Sequence, residues 1–564
     1  MKISSKRWFY AVWLLMIGGF AVLHALNLTA DFPNHTPWFS DWAKYTDEGW
    51  YGNAAIRAHL QHGHWYLPGD FNPFPAVPVW PFLEWMLFFV TGVTVQAARG
   101  LAVAFFFANL VLSYLLLRTR GPRWMALLAL TLVVTSPFLY CFSRLAILEP
   151  MLTALMLGAL NVAVRLPRMR RPLLAAVSIG LLYTLMMLTK TTAVFLLPAL
   201  GWAILLPLWH NRKLALRCAM AAAGTFLVTF GMWMAMVIGH NLLGDYKYLF
   251  YINKYVKPKE FYWPLLSFWW SFHGGLWVDR ILIPLAGLLL LGAAVAWWRS
   301  KSPVEGASTG WSDGVPADRS SSVGWSAWGR KLLLDPVFGA SVLAAAGYIF
   351  FMTYQNHPQP RYFALVAFFC FFMVAQGTES LLSQAGEACG PWARRLGWAA
   401  LGLAVAAVGI NTVWTLNFVT HPEYTFVTAA RQLTQYIDEH PNGKRLLVSI
   451  SGDEITLVTH LPALCDDFGT ATPRGRFPDL ASKLAYYKPG WYATWNDLDP
   501  GTLEDLHNRF SLEQVATFRA FDDPERNRLV LFKLHPLRSG LHRDPTAQDL
   551  QVPLPGDQID IPIE

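Results

Sequence analysis

The chain has 564 residues, of which 54% are hydrophobic, 15% are aromatic and 15% are charged, and its mean hydropathy is +0.32. Soluble domains carry about 25% charged residues, so this composition indicates an integral membrane protein. The formal charge of +8 is scattered over short loops between apolar runs. That distribution is typical of a topology signal and argues against nucleic acid as a partner. Five cysteines without paired spacing support neither a disulfide framework nor a zinc knuckle.

Eleven apolar runs have about the 20 residues that a helix needs to span a bilayer. They are Trp8–Leu26, Gln96–Leu117, Trp124–Phe142, Leu145–Val164, Pro172–Leu188, Thr191–Leu208, Leu214–Gly239, Ile281–Trp298, Leu332–Tyr354, Tyr362–Ala375 and Leu396–Phe418. The first run follows a basic start. It lacks the short apolar core and the small-residue cleavage site of a signal peptide, so we expect it to remain in the protein as an uncleaved first helix. The sequence predicts a polytopic α-helical membrane protein with about 11 transmembrane helices and a C-terminal soluble α/β domain.

One further apolar run, Val77–Val93, is short and contains Pro78, Pro81 and Glu84. If this run lies in the outer interface, the clearly basic loops all fall on one side of the membrane. If it crosses, two of them move to the other side. The positive-inside rule therefore favours an interfacial or re-entrant helix, with the N terminus in the cytoplasm and everything after Phe418 outside.

The chain divides into four regions by composition. Residues 1–420 form the predicted membrane domain, and its segment 299–331, rich in Ser, Gly, Pro and Trp, predicts a flexible cytoplasmic loop. Residues 421–536 have soluble composition, and strand-like runs at 445–451, 490–495, 512–521 and 528–534 indicate a small α/β domain. Residues 537–564 form a Pro-rich tail that we expect to be poorly ordered.

The first outer loop, about residues 27–95, carries the strongest candidate site. Its segment YTDEGWYGNAAIRAHL places the adjacent carboxylates Asp47 and Glu48 at the start of a predicted helix. An acidic pair at a membrane surface indicates acid–base chemistry. The alternative is structural, because Asp and Glu are favoured in a first turn, where they cap free N–H groups and complement the helix dipole.

Other charged residues lie at the predicted outer ends of the helices. They are Arg144 and Glu149 in SRLAILEP, Lys190 in LTKTTAV, His357 and Arg361 in QNHPQPRYF, and Asp279 with Arg280. Each could be an interfacial anchor whose charge reaches water, but ionisable groups at membrane depth are costly and usually line a site. Arg99 could equally be a site residue or an anchor. The turn at Gly452-Asp453-Glu454 predicts a plain turn and helix start.

Metal ligation has little support in the sequence. His59, His62 and His64 lack the spacing of a strong metal motif, and the nearby carboxylates are not at ligand-like positions. The sequence names no cofactor with certainty and leaves a requirement for a divalent cation open.

Several of these motifs together resemble one family. YTDEGWYGNAA, FNPFPAVPVWPFLEW and SRLAILEPMLTA, with looser matches in LTKTTAVFLLP and PRYFALVAF, are similar to GT-C glycosyltransferases of the protein O-mannosyltransferase and lipid A aminoarabinose transferase group (glycosyltransferase family 39). The resemblance covers residues 1 to about 420. There are two departures: relatives usually carry Asp where this chain has Glu149, and the aminoarabinose type carries Lys where this chain has Asn72.

The resemblance implies inverting transfer of a sugar, hexosyl or pentosyl, from a polyprenyl-phosphate donor to a hydroxyl on a lipid, glycan or protein acceptor. It implies that Asp47 is the catalytic base and Glu48 the second acidic residue. The phosphate would be bound by Arg144, Lys190 and Arg361, and Glu149, His357 and Tyr51 would support the substrate site. We expect a bacterial inner membrane protein, in contact with membrane lipids, whose active site and C-terminal domain face the periplasm.

The competing class is a membrane transporter, a lipid flippase or a lipid-binding protein without transferase chemistry. Such proteins usually show internal repeats and charges in mid-membrane on broken helices. This chain shows no visible repeat, and its charges lie at the predicted outer ends of the helices, which favours the transferase.

Overall fold

The protein is described here from a computed structural model. The described residues are 5–31, 47–67, 70, 72–247, 278–299, 319–354, 360–385, 390–465, 480–495, 506–507, 510–520 and 527–537.

Helices make up the described part of the first 420 residues. In chain order they are α1 (Ser5–Leu23), α2 (Glu48–Leu60), α3 (Val79–Thr91), α4 (Val95–Leu117), α5 (Arg123–Thr135), α6 (Pro137–Ser143), α7 (Glu149–Ala163), α8 (Pro172–Thr189), α9 (Leu197–Leu205), α10 (Arg212–Gly239), α11 (Leu243–Lys247), α12 (Leu282–Arg299), α13 (Arg319–Leu333), α14 (Pro336–Tyr354), α15 (Phe363–Ser380) and α16 (Pro391–Thr420). Short 3-10 helices at Leu166–Arg168, Thr191–Leu196 and Pro360–Tyr362 connect some of them, and a π-helical turn, Leu381–Ala385, follows α15.

Apolar helices occupy every predicted span. Within the described ranges, five helices are long and apolar enough to cross a bilayer, and the number rises to seven when each of two bent pairs counts as one span. Five shorter apolar helices accompany them, and four of these coincide with predicted spans. The count of eleven therefore stays a prediction, although each predicted run does form an apolar helix or bent pair.

Proline and a capping side chain explain both bent pairs. Between α5 and α6 the chain turns by 71° at Ser136-Pro137, where the Ser136 hydroxyl accepts a hydrogen bond from the Leu139 N–H at 3.2 Å. Between α13 and α14 it turns by 64° before Pro336, where Asp335 Oδ1 accepts from the Val337 N–H at 2.9 Å. Proline has no N–H to donate and is favoured at the first helical position, so each pair is two capped helices.

The fifth shorter apolar helix is α3, within the run that we predict to be interfacial. Its 13 residues rise by about 20 Å, whereas the hydrocarbon core is about 30 Å thick. One face buries Trp80, Glu84 and Phe88, and the other exposes Phe82 and Phe89. A helix of this length and pattern fits an interfacial position.

One expectation about the cytoplasmic side is wrong in part. The segment 299–331 is not wholly a flexible loop, because α13 occupies Arg319–Leu333; residues 300–318 lie outside the described ranges. Trp328 is buried and its Nε1 donates to Ser380 Oγ at 2.9 Å. At Gly329 an added Cβ would lie 2.3 Å from the Ala293 carbonyl oxygen, so α13 packs closely on α12. Tertiary packing of Trp side chains stabilises a helix whose Ser- and Gly-rich composition does not suggest one.

The C-terminal region folds around a five-stranded sheet. Its elements are α17 (Thr425–Glu439), β1 (Lys444–Val448), α18 (Gly452–Thr459), β2 (Ala463–Leu464), α19 (Leu480–Tyr487), β3 (Pro489–Trp495), β4 (Phe510–Arg519) and β5 (Arg528–Pro536). The strand order is β2-β1-β3-β5-β4, in which β1 pairs parallel with β2 and β3, while β5 pairs antiparallel with β3 and β4. The four longer strands lie within the predicted runs or within a few residues of them. The tail from residue 538 lies outside the described residues.

Two apolar layers cover the faces of this sheet. On one face Leu433 and Ile437 of α17 pack with Ile455 of α18 and Trp491 of β3. On the other face the buried cluster includes Leu484 of α19, and Leu67 from the first outer loop packs against it. The first outer loop is therefore part of the packing of the sheet region, which brings that region next to α2.

Candidate active site

Asp47 immediately precedes α2 and holds the cap position without capping the helix. Its side chain makes no cap hydrogen bond. Instead, Asp47 Oδ2 accepts a hydrogen bond from Arg361 Nη2 at 2.6 Å. The Asp47 side chain is 25% exposed and the Arg361 side chain 8%. The structural interpretation of Asp47 as an ordinary helix cap is therefore wrong. Its carboxylate instead contacts a cation that lies 314 positions away in the sequence.

A second cation, Lys190, contacts the same aromatic ring as Arg361. Lys190 Nζ lies 4.4 Å from the centroid of the Tyr362 ring, and the Arg361 guanidinium carbon lies 5.4 Å from it. Lys190 also forms a buried ion pair with Glu149. Lys190 caps the end of α8, Arg361 and Tyr362 lie in the 3-10 helix before α15, and Glu149 begins α7. Three distant segments thus meet at one ring.

Tyr51 joins this group from α2. It lies one turn after Asp47, with its backbone N–H donating to the Asp47 carbonyl at 3.0 Å. The Tyr51 phenol is buried and interacts electrostatically with Asp47, Arg361 and Glu149. We call the set Asp47, Tyr51, Glu149, Lys190, Arg361 and Tyr362 the outer cluster. Arg361 Nε and Glu149 Oε2 are buried in it without a hydrogen-bond partner among the described residues.

Glu48, the neighbour of Asp47, faces a different partner. It accepts two hydrogen bonds from Arg99, at 2.7 Å each, and a third from the Ala146 N–H at 2.7 Å. Arg99 further donates to the carbonyls of Leu28 and Ala30, at 2.9 and 2.5 Å. Adjacent helical residues point about 100° apart, so the two carboxylates diverge. Arg99, on α4, therefore holds the Glu48 carboxylate through two hydrogen bonds.

Arg144 lies with this second group and not in the outer cluster. Its guanidinium donates to the Leu26 carbonyl at 2.7 Å, to the Asn27 carbonyl and to the Tyr140 hydroxyl. These contacts fix the end of the first helix to the α6–α7 turn. Of the three predicted phosphate contacts, Lys190 and Arg361 share the Tyr362 ring, while Arg144 hydrogen bonds with two backbone carbonyls and the Tyr140 hydroxyl.

Histidine enters two predictions, the supporting role of His357 and the weak metal motif at His59, His62 and His64. His357 lies outside the described residues. His59 Nε2 hydrogen bonds with the Trp85 carbonyl at 3.0 Å, so it takes part in packing α2 on α3. No group of three or more His, Cys, Asp or Glu side chains that could hold a metal ion occurs in the described ranges.

A buried charge network joins the first outer loop to the sheet region. Arg57 of α2 donates to Asp70 at 2.5 Å and to Asp453 of α18 at 3.0 Å, and Lys483 of α19 donates to Asp70 at 2.5 Å. Although burial alone would raise the pKa of Asp70, the Lys483 and Arg57 charges hold it below its usual value. Two cations balance two carboxylates, which makes the burial of all four tolerable.

Backbones also approach closely at this contact. An added Cβ at Gly49 would lie 2.2 Å from both the backbone carbon and oxygen of Asp453. The sequence correctly predicts that a helix starts near Gly452, but the turn is not a plain one, because it packs on α2 beside Asp47. The sequence does contain one sign of this contact, which is Gly49 itself, because glycine is unfavourable within a helix unless another backbone must approach closely.

No family model and no curated protein matches the chain. Solved structures do match. The apo oligosaccharyltransferase of Archaeoglobus fulgidus is 12% identical, with a TM-score of 0.51 over 95% of this chain and 76% of that chain. ArnT from Cupriavidus metallidurans bound to undecaprenyl phosphate is 13% identical, with a TM-score of 0.45 over 92% and 98%. The mycobacterial arabinofuranosyltransferase AftD is 11% identical, with a TM-score of 0.45 over 95% and 40%.

These proteins are GT-C fold glycosyltransferases, and the likeness to the oligosaccharyltransferase shows that this chain has the same fold. The GT-C fold that the sequence motifs predict is thereby confirmed. GT-C enzymes are integral membrane proteins, in agreement with the apolar helices.

Proposed function

We propose that the protein is a membrane glycosyltransferase that moves a sugar from a polyprenyl-phosphate donor to an acceptor hydroxyl, with inversion and with Asp47 as general base. The observation that carries the proposal is the outer cluster. A carboxylate that does not cap its helix lies against Arg361, and Arg361 and Lys190 contact the same aromatic ring.

In the proposed mechanism Asp47 is the general base. The Asp47 carboxylate takes the proton of the acceptor hydroxyl while the hydroxyl oxygen bonds to the anomeric carbon of the sugar. The bond from that carbon to the phosphate oxygen breaks on the opposite face, so a single displacement inverts the configuration. Asp47 is one quarter exposed, so an acceptor can reach it, whereas Glu48 is committed to Arg99 and serves to position α2.

The cations act on the leaving group. Negative charge grows on the prenyl phosphate as the glycosidic bond breaks, and preorganised donors aimed at such charge give the largest catalytic effects. Lys190 and Arg361 are both nearly buried and both lie close to the Tyr362 ring, and in this proposal both bind the phosphate. The Arg361 Nε donor, which lacks a partner in the described part of the chain, suits one phosphate oxygen, and Glu149 Oε2 suits a sugar hydroxyl.

The kind of sugar donor is inferred from the side of the membrane that the outer cluster faces. On the positive-inside topology the outer cluster faces away from the cytoplasm, where nucleotide sugars are made. A sugar carried across on a lipid is the matching donor, and ArnT, a neighbour in fold, is bound to undecaprenyl phosphate. We extend this to a bacterial inner membrane enzyme whose outer cluster and sheet region face the periplasm.

Purified protein in lipid nanodiscs, incubated with prenyl-phosphate sugars and acceptor lipids, glycans or peptides, tests the proposal. Release of free prenyl phosphate that depends on both substrates is the expected result. If no donor is cleaved while labelled prenyl phosphate crosses a proteoliposome membrane in a protein-dependent way, the flippase alternative replaces it.

A further inference from the structure

A cavity lies at the end of the membrane domain that is farther from the outer cluster. Its volume is about 1050 Å³, and its walls come mainly from the α4–α5 turn, α12, α13, the α13–α14 turn and the end of α15. The helix α15 begins directly after Tyr362 of the outer cluster and rises by about 27 Å over its 18 residues to Ser380, which lines the cavity. The cavity is therefore near the opposite membrane surface, which is the cytoplasmic one on the predicted topology.

One face of α13 brings two cations to this cavity. Ser326, Ala327, Arg330 and Lys331 line it, at the three- and four-residue spacing of one helix face. Trp328 is buried on another face, where its Nε1 donates to Ser380 Oγ at 2.9 Å. Arg330 and Lys331 are both exposed, and neither forms an ion pair within the described ranges. Both charges are therefore available to a ligand.

The described residues that line the cavity carry one excess positive charge. Arg120 forms an ion pair with Asp335 at 2.6 Å, so these two charges balance each other. Asp335 also accepts from the first N–H groups of α14, which leaves it fully occupied. Glu379 is the remaining carboxylate of this lining, and it stands against both Arg330 and Lys331. A ligand with one negative charge, such as a phosphodiester, would make the cavity neutral.

One buried acceptor in the wall of the cavity lacks a donor. Gln376 lines the cavity and is 4% exposed. Its Nε2 donates to Asp335 Oδ1 at 3.3 Å, which fixes the orientation of the amide because an ionised carboxylate can only accept. Its Oε1 has no hydrogen-bond partner among the described residues. Buried acceptors are normally paired, so a ligand that carries a hydroxyl group suits this wall.

An exposed apolar stripe on α12 begins beside the cavity. Trp297 lines the cavity, and the next residue, Trp298, is 75% exposed. Val295, Leu291 and Leu288 follow Trp298 at helical spacing and are exposed as well. Acyl chains can lie along this stripe while the headgroup attached to them occupies the cavity. A soluble anion would gain nothing from the stripe, which favours a lipid as the ligand.

We propose that the cavity binds the headgroup of an anionic phospholipid of the phosphatidylglycerol class. Arg330 and Lys331 bind the phosphodiester, and the headgroup hydroxyls donate to Gln376 and Glu379. Small-molecule sites have volumes of about 300–1,000 Å³, so the cavity has room for such a headgroup. Basic pockets between transmembrane helices on the cytoplasmic side are a general means of binding anionic headgroups. The proposal concerns the membrane surface opposite the outer cluster and does not depend on transferase activity.

Native mass spectrometry of the full chain in detergent, titrated with phosphatidylglycerol or with phosphatidylcholine of the same acyl chains, tests the proposal. We expect one tightly retained phosphatidylglycerol per chain and weaker binding of phosphatidylcholine. Replacing both cations, Arg330→Gln with Lys331→Gln, should weaken phosphatidylglycerol binding roughly 30-fold, from the usual contribution of a basic residue near an anionic lipid surface. Arg212→Gln with Lys213→Gln, at an exposed Arg–Lys pair that begins α10 on the same predicted side, is the matched control and should stay within a few fold of wild type.

Equal binding of the two lipids by wild-type protein, or an equal loss in the control variant, would overturn the proposal. Displacement of the lipid by an equal concentration of soluble glycerol phosphate would also overturn it, because the site would then be one for a soluble anion. Cryo-electron microscopy of wild-type protein in phosphatidylglycerol nanodiscs decides the matter even if the Arg330 and Lys331 variant fails to fold. Headgroup density beside these two side chains supports the proposal, whereas an empty cavity, or one filled by a segment of this chain, contradicts it.

Discussion

The Asp47 carboxylate lies 2.6 Å from the Arg361 guanidinium, although the two residues are 314 positions apart. This pair joins the first outer loop to the segment before α15, and it places a carboxylate against a nearly buried cation.

The two cations at the Tyr362 ring should matter more to the transition state than to donor binding, because charge on the phosphate grows during transfer. Arg361→Gln and Lys190→Gln should each lower kcat roughly 10- to 10³-fold, the scale of losing one preorganised donor. Arg361→Lys should rescue only partly, since a point charge does not reproduce the guanidinium fork. Steady-state assays of prenyl-phosphate release test this, with Arg445→Gln, at a surface ion pair, as the control. Wild-type kcat in both Gln variants would make these residues interfacial anchors.

Glu48 and Arg99 should behave as a structural ion pair. Both side chains are less than 10% exposed, and breaking a buried pair by removing one partner costs about 3–5 kcal/mol. Glu48→Gln and Arg99→Met should each lower the thermal unfolding temperature strongly. The double variant Glu48→Met with Arg99→Met should recover much of the loss, because no charge is then left buried alone. Single variants as stable as wild type would show that the pair does not hold α2 on α4.

Gly49 should tolerate no side chain. A Cβ there would lie 2.2 Å from the Asp453 backbone, and forcing extra atoms into a packed contact costs typically 1–3 kcal/mol. Gly49→Ala should therefore loosen the sheet region from α2 and speed limited proteolysis between them. Gly100→Ala on α4, where nothing lies within 4 Å of the added atom, is the matched control. Equal proteolysis of the two variants would argue against close packing of α2 on α18.

Stability should depend on pH through Asp31, which lies between α1 and α2. Its Oδ2 accepts from the Phe426 N–H at 2.7 Å and so caps α17. Burial raises the pKa of Asp31 to about 7, against the opposing effect of Arg99 and the Phe426 N–H. The folded protein then holds a proton that the unfolded chain releases near pH 4, so the free energy of unfolding should fall as pH rises from about 4 to 7.

Asp31→Asn keeps an acceptor without a titrating proton, so its unfolding temperature should vary less with pH over that window. Thermal unfolding of both proteins at pH 5, 6, 7 and 8 measures the difference. The idea is wrong if the two unfolding profiles have the same slope.

Much of the membrane domain is predictable from the sequence because apolar length alone specifies it. The runs from Gln96, Pro172 and Leu214 each form a long helix close to the predicted bounds. The helix α13 is missed because its stability comes from Trp328 packing on distant helices, which composition does not record.

Five of the six residues of the outer cluster are candidates from the sequence and Tyr362 is not, and none of the pairings within the cluster is predictable. In a sequence, a carboxylate that caps its helix cannot be distinguished from one that takes part in a reaction. For Asp47 the structure distinguishes them, because its carboxylate contacts Arg361 and makes no cap hydrogen bond. Glu48 and Arg99 are 51 positions apart, so sequence leaves Arg99 open between site and anchor.

The most direct test of the account is the rate of prenyl-phosphate release by Asp47→Asn in nanodiscs, under the donor and acceptor conditions at which wild-type protein is active. Asn keeps the size and a hydrogen bond to Arg361 but is not a base, and positioned bases contribute typically 10²- to 10⁴-fold. We predict a fall of that size with unchanged donor binding, and no change for Asp438→Asn on the protein surface. Release within a few fold of wild type would contradict Asp47 as the general base and with it the proposed mechanism.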